Sequence, residues 1–302
     1  SARNESIGMF TDDADTMITT SGKINAGQSS YGIYGKNVSM TGGEVNASDD
    51  AVGIYATGST VNLAGKITAA NNNAVGVYIA DDSKSPVSTA VNSTADMSIG
   101  DTDSFGYLIT ASKNPVNLTA NAPNTVHVGE KSVYIYSNAD KNLGGMISSS
   151  SNLKMDKNNA YGIYSSQNFE NSGTIDLAGG VGNIGLYSTQ GNGSNTGHII
   201  VGPSNAATKQ YGIGMATGYY DETSKAISNQ GTIVNEAGGV IDVSDDNSVG
   251  MYAAGNGSRA INRGTINLSG NNTTGMYIDR GAQGENYGVI QTVPSANGRG
   301  IK

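Results

Sequence analysis

Val52-Gly53-Ile54-Tyr55 is preceded by Tyr31-Gly32-Ile33-Tyr34 and followed by Val75-Gly76-Val77-Tyr78. The same order of apolar, Gly, apolar, Tyr returns as Tyr161-Gly162-Ile163-Tyr164, Ile184-Gly185-Leu186-Tyr187, Val249-Gly250-Met251-Tyr252 and Thr274-Gly275-Met276-Tyr277. Weaker copies fill the gaps: Ile7-Gly8-Met9-Phe10, Phe105-Gly106-Tyr107-Leu108, Val133-Tyr134-Ile135-Tyr136, Tyr211-Gly212-Ile213-Gly214 and Arg299-Gly300-Ile301-Lys302. From Gly8 to Gly300 the column has eleven intervals with a mean near 26.5 residues. A fixed period of this length is the signature of a solenoid, in which each repeat buries itself only against its neighbours.

A second box stands before these, a Gly followed by alternating aliphatics. It reads Gly173-Thr174-Ile175-Asp176-Leu177, Gly197-His198-Ile199-Ile200-Val201, Gly239-Val240-Ile241-Asp242-Val243 and Gly264-Thr265-Ile266-Asn267-Leu268, with looser copies at Met97/Ile99, Val126/Val128 and Leu153/Met155. A third apolar pair lies between the boxes at Val38/Met40, Val61/Leu63 and Val116/Leu118, with Ile227 and Ile261 read as its later remnants. Alternation over short runs bounded by Gly, Asn and Ser marks half-buried strands, and no stretch keeps a helical period. Three short strands per repeat are too few for a propeller blade and fit one coil of a right-handed parallel β-helix. The expected fold is all-β, with about twelve rungs of three strands in one segment across 1–302. At a strand spacing of about 4.8 Å the rungs would make a rod of roughly 55–60 Å.

Simple alternation puts the first and third residues of each Tyr box inside and the Gly and Tyr outside. Tyr34, Tyr55, Tyr78, Tyr136, Tyr164, Tyr187, Tyr252 and Tyr277 then form an outward ladder on adjacent strands. Such a ladder stabilises a sheet by itself, and stacking against sugar rings is its functional reading. The inverse facing, with Gly and Tyr inside, stays open. Asn171, Asn195, Asn229, Asn262 and Asn286 each stand two residues before the Gly of a second box or its equivalent, a corner that suits left-handed backbone and amide ladders.

Composition narrows the function. There are 17 basic and 25 acidic side chains for a net charge of −8, with no Lys/Arg cluster, so no nucleic-acid partner is expected. Cys is absent, which removes disulfides and Cys-based metal centres. No apolar run is long enough to span a membrane, and Ser1 to Phe10 lacks the pattern of a signal peptide.

The acidic pairs Asp12-Asp13, Asp49-Asp50, Asp81-Asp82 and Asp245-Asp246 invite comparison with glycosidase carboxylates. Asn72-Asn73 and Asn158-Asn159 hold equivalent corners, so those positions ask for turn formers. His127 and His198 are far apart in the repeat, no calcium-binding β-roll motif occurs, and neither cofactor nor metal is expected. Loops that break the repeat are better candidates. These are Ala80 to Ser93, Ser137 to Ser151, and Ala216 to Gln230, the last inside the 38-residue interval from Gly212 to Gly250 and followed by an additional strand around Ile233. Tyr219-Tyr220-Asp221-Glu222 in that third loop combines aromatic faces with carboxylates and is the candidate ligand contact.

Asn262-Arg263-Gly264-Thr265-Ile266 and Ser248-Val249-Gly250-Met251-Tyr252 resemble the passenger repeats of large type V autotransporter adhesins, particularly the fusobacterial RadD-like type. The resemblance covers essentially the whole chain. It implies a β-helix at the surface of a Gram-negative bacterium, displayed through an outer-membrane barrel that is not part of these residues, and binding host or bacterial cell-surface glycans or proteins. The chain would then be an excised part of a longer passenger. The function expected is a non-enzymatic adhesin or adhesin stalk. The alternatives are a polysaccharide lyase or hydrolase on the same fold, and the carrier part of a secreted toxin.

Overall fold

The computed structural model describes residues 4–81, 88–293 and 299–301. The chain forms two compact units, Ser1–Ser151 and Asn152–Lys302. Each is a parallel β-solenoid, and the single turn Lys141–Leu143 is the only helical element among the described residues.

In the first unit the Tyr-box strands Ile7–Phe10, Tyr31–Gly35, Val52–Ala56, Val75–Ala80, Phe105–Thr110 and Val133–Ser137 stack in chain order. Their third residues form one inner column, Ile33, Ile54, Val77, Tyr107 and Ile135. The second box supplies Ile24, Val45, Ile67 and Met97, and the third supplies Ile18, Val38, Val61, Val91, Leu118 and Ile147. In Asn37–Ala47 and Thr60–Ala69 both boxes share one strand, bent at Gly43 and Gly65 with φ of +78° and +91°.

The second unit repeats the plan with Tyr161–Ser165, Ile184–Ser188, Ile213–Thr217, Val249–Ala254, Thr274–Asp279 and Arg299–Ile301. Ile163, Leu186, Met215, Met251 and Met276 form its inner column. Leu153, Ile175, Ile199, Ile241, Ile266 and Ile290 form a second. The third column runs Phe169, Gly193, Ile233, Ala260, Gly284. A Cβ on Gly193 would strike the Phe169 ring, so a large and a small residue share the space of two medium ones.

Half of the facing read from alternation is corrected. The third residue is inside and the Tyr outside as expected: Ile33, Ile54, Val77, Ile163 and Leu186 are fully buried, and Tyr34, Tyr55, Tyr78 and Tyr164 are half-buried. The first residue, however, lies outside, because Tyr31 packs edge-on against Tyr34 and Tyr161 against Tyr164, each pair at 5.6 Å. The Gly lies inside. A Cβ on Gly53 would stand 2.7 Å from the Gly76 carbonyl oxygen and 3.0 Å from the buried Val45 side chain. The backbone makes a bulge-like step at the Gly that turns two consecutive residues inward, so strict period-2 counting across it fails.

The frame of one box also moves. Ile213 pairs with Ile184 and Val249, so the true copy is Ile213-Gly214-Met215-Ala216, and Tyr211 lies before the strand. The segment Thr232–Asn235 is not additional. It pairs with Asn192–Asn195 and Arg259–Asn262 as the regular third strand, so Ile233 and not Ile227 holds the column. Asn229 leaves the Asn column for the same reason, and Asn235 replaces it. Asn171 donates to Asn195 at 2.9 Å, Asn195 to Asn235 at 3.0 Å, Asn235 to Asn262 at 2.9 Å and Asn262 to Asn286 at 2.8 Å. Of these five Asn, the first four are buried, and the same amides donate to glycine carbonyls such as Gly173 and Gly197, closing the corner. None of the five has positive φ; Asn229 does, at +57°.

Candidate functional site

The outer column is interrupted. Tyr34 and Tyr55 stack at 4.6 Å with an 11° tilt, Phe10 flanks Tyr34 at 5.5 Å and Tyr78 meets Tyr55 edge-on at 5.0 Å. Leu108 then takes the Tyr position, and Tyr136 packs on Phe105 at 5.6 Å. In the second unit Tyr164 and Tyr187 stack at 4.9 Å, Ala216 takes the next position, and Tyr252 and Tyr277 stack at 5.8 Å. Within each unit the four tyrosines thus share a column without forming one ladder. Tyr187 is buried, and that burial holds its phenol well above the usual tyrosine range.

The loop predicted from the long interval is a hairpin. Gly218, at φ +84°, turns the chain out of the Tyr-box strand, and Tyr219–Tyr220 pairs antiparallel with Ile227–Ser228. Tyr219 is 54% exposed. Tyr220 is not open to the same degree, since the Arg280 guanidinium lies 3.4 Å from its ring centroid and the Lys225 ammonium 5.9 Å. The Asp221 carboxylate accepts from the backbone N–H groups of Thr223 at 2.7 Å and Ser224 at 3.1 Å, which hold its pKa below the ordinary value. It is the turn former of the hairpin. Glu222 points elsewhere, pairing with Lys225 at 3.3 Å and Arg280 at 3.5 Å.

Glu222 thereby joins the outer column. A groove of about 670 Å³ in the second unit has Ile213, Val249, Thr274, Tyr252 and Tyr277 as its floor, all on the outer face of three adjacent Tyr-box strands. Its walls are Ala206, Tyr211, Glu222, Asn247, Asn272, Asp279 and Arg280. The volume is that of a small-ligand site, for which ~300–1,000 Å³ is usual. Arg280 is tied to Asp279 at 3.4 Å as well as to Glu222. Burial raises the Tyr252 phenol above its ordinary pKa, and the Asp279 charge adds to the effect. Of the residues singled out in the sequence, Glu222, Tyr252 and Tyr277 meet here; Tyr219, Tyr220 and Asp221 do not line the groove. Tyr211, Asn247, Asn272, Asp279 and Arg280 were missed. The two Asn have positive φ and read as ordinary corner residues, and Arg280 carries no motif.

Residues 34–288 match the family described as the BigA third pectate lyase-like domain. The chain belongs to this family. The match includes every tyrosine of the outer column and every residue lining the groove. No curated protein and no solved structure matches the chain.

Most of the remaining polar candidates of this BigA-type domain that the structure describes have structural partners. Asp13 accepts from the Asp15 N–H and the Thr16 hydroxyl, both at 2.9 Å. Asp49 accepts from Asn72 at 2.7 Å and Asp50 from Asn73 at 3.1 Å, across one coil, and Asp50, Asn72 and Asn73 all have positive φ. Asp246 accepts from the Asn271 N–H at 2.7 Å. Asp81 receives three backbone N–H groups, from Ser112, Lys113 and Asn114 at 3.0, 2.6 and 3.2 Å. Its sequence neighbour Asp82 lies outside the described residues, as do residues 83–87 of the loop Ala80 to Ser93, which ends in the regular strand Thr89–Ser93. The loop Ser137 to Ser151 holds the Lys141–Leu143 turn and then the regular strand Met146–Ser149. His198 is within 2.7 Å of Asp242, which accepts from Asn267 at 2.7 Å, which accepts from Gln291 at 2.7 Å: an outer polar row that alternation alone did not reveal. Among the described residues no group of three or more His, Asp or Glu side chains is placed to hold a metal ion.

Proposed function

We propose that this BigA-type domain is a non-catalytic binding module at a bacterial surface, an adhesin or adhesin stalk, that takes glycans in the Tyr252–Tyr277 groove. The groove carries the reading. Two outward rings at 5.8 Å offer faces for the C–H surface of sugars, and Glu222, Asp279, Asn247 and Asn272 offer acceptors and donors for hydroxyls. Family membership supports placement in a surface protein. Display through an outer-membrane barrel, as the resemblance to autotransporter passengers implies, belongs to the same proposal.

The family description also favours a second reading, polysaccharide cleavage. Cleavage needs an acid or base poised at the sugar. The groove's cation, Arg280, is held by two carboxylates and lies on the Tyr220 ring, which supports binding over proton transfer. Incubation with a broad polysaccharide panel tests this: released reducing ends or unsaturated products would replace the adhesin with an enzyme. On a glycan array the wild-type domain is expected to bind, and Tyr252→Ala with Tyr277→Ala to lose that binding. Unchanged binding in the double variant would remove the site from the groove.

A further inference from the structure

We infer that the groove selects neutral glycans and rejects polyuronates, the substrates that a pectate lyase-like description would suggest. This rests on the glycan-binding reading above and adds the chemical class of the ligand. The charges decide it. Glu222 and Asp279 face the groove with one cation, Arg280, among its lining residues. That guanidinium is committed on several sides, to Glu222 at 3.5 Å, to Asp279 at 3.4 Å, and to the Tyr220 ring at 3.4 Å. Lys225, the next cation on the hairpin, is paired with Glu222 at 3.3 Å.

A uronate entering the groove would add a carboxylate beside two others, and the one cation among the lining residues is already paired with both of them. Bidentate Arg pairing is the usual device for a carboxylate ligand, and here Nη2 and Nε of Arg280 already face Glu222 and Asp279. Along the chain next to the wall residues, Asp245 and Asp246 precede Asn247 and Lys209 precedes Tyr211 by two, so these flanking charges are net negative by one. The burial-raised Tyr252 phenol is a protonated hydroxyl over the working pH range, so it donates to a neutral sugar hydroxyl or accepts from one. Neutral hexoses match the site on each count: an apolar face for the rings, hydroxyls to donate to Glu222 and Asp279, and hydroxyl oxygens to receive the Asn247 and Asn272 amides.

Binding of matched-length neutral oligosaccharides (glucan, mannan and galactan series) and oligogalacturonate is compared by calorimetry at low ionic strength, once with EDTA and once with calcium. At least one neutral series should bind tenfold or more tighter than oligogalacturonate under both conditions. Galacturonate binding equal to or tighter than the best neutral ligand, with or without calcium, overturns the inference and leaves the glycan-binding reading standing. Absence of binding to every series overturns both. Glu222→Gln combined with Asp279→Asn frees Arg280 and should raise galacturonate affinity several-fold with little change in melting temperature. An unchanged galacturonate affinity in that stable variant would show that charge is not the selector.

Discussion

Tyr34 and Tyr55 stack at 4.6 Å and 11°, while Tyr252 and Tyr277 stand at 5.8 Å and 28°, although both pairs come from the same box in the same register. The neighbours differ. Beside the first pair, Tyr31 sits in position one and packs edge-on against both rings, at 5.6 and 5.8 Å, and Phe10 flanks the stack. Beside the second, position one is Val249 and Thr274, the preceding coil has Ala216 in the Tyr place, and the Gly218 hairpin brings Glu222 to the rim. One pair gives its faces to other aromatics; the other borders open space lined with polar groups. A repeated motif therefore stabilises wherever it occurs, and it borders an open groove where neighbours are small and an insertion supplies a wall.

The largest effect should come from beneath the rings, where the two regions are alike. Ile54→Ala and Leu186→Ala remove fully buried column residues and should each cost about 2–4 kcal/mol, against less than ~0.5 kcal/mol for the half-buried Thr174→Ala. Chemical denaturation checks this, and a reversed order would contradict the facing described here. Next is the amide ladder. Asn235→Ala leaves buried partners on Asn195 and Asn262 unsatisfied and should cost about 1–3 kcal/mol, whereas Asn229→Gly, at positive φ outside the ladder, should cost little.

The comparison itself is sharpened by paired ring deletions. Tyr34→Ala with Tyr55→Ala should lower stability by about 1–2 kcal/mol, since ring pairs contribute about 0.5–1.5 kcal/mol beyond burial, and leave glycan binding unchanged. Tyr252→Ala with Tyr277→Ala should destabilise less and reduce binding at least tenfold. Equal binding losses from the two double variants would dissolve the distinction between ladder and groove.

The smallest effect is confined to alkaline pH. Burial raises the Tyr134 phenol from 10.0 to about 12, its hydroxyl being 2.9 Å from Ser151. Between these values the unfolded chain releases the proton and the folded one keeps it. The unfolded state then binds fewer protons, so stability falls as pH rises through this window. Buried Tyr107 and Tyr187 are raised in the same way and contribute to the same fall, so Tyr134→Phe should lessen it without abolishing it in melts from about pH 9 to 12; an equally steep decline would assign it to the other two.

Period, strand type and coil architecture could be read from the sequence because a solenoid contacts only its neighbours: each box repeats its own environment, and Ile175, Ile199, Ile241 and Ile266 mark out a column by their recurrence alone. Local counting failed where the backbone departs from a plain strand. The bulge-like step at the Gly exchanged the first two facings, the excursion closed by the Asn205–Gln210 bridge put Tyr211-Gly212-Ile213 out of frame, and the hairpin did the same for Ile227 and Asn229, because alternation carries no record of an inserted residue or an excursion. The groove was legible only in part. Glu222, Tyr252 and Tyr277 were singled out for different reasons, but their meeting with Tyr211, Asp279 and Arg280 depends on stacking three coils and folding a hairpin back over them, a coincidence in space that no spacing along the chain encodes.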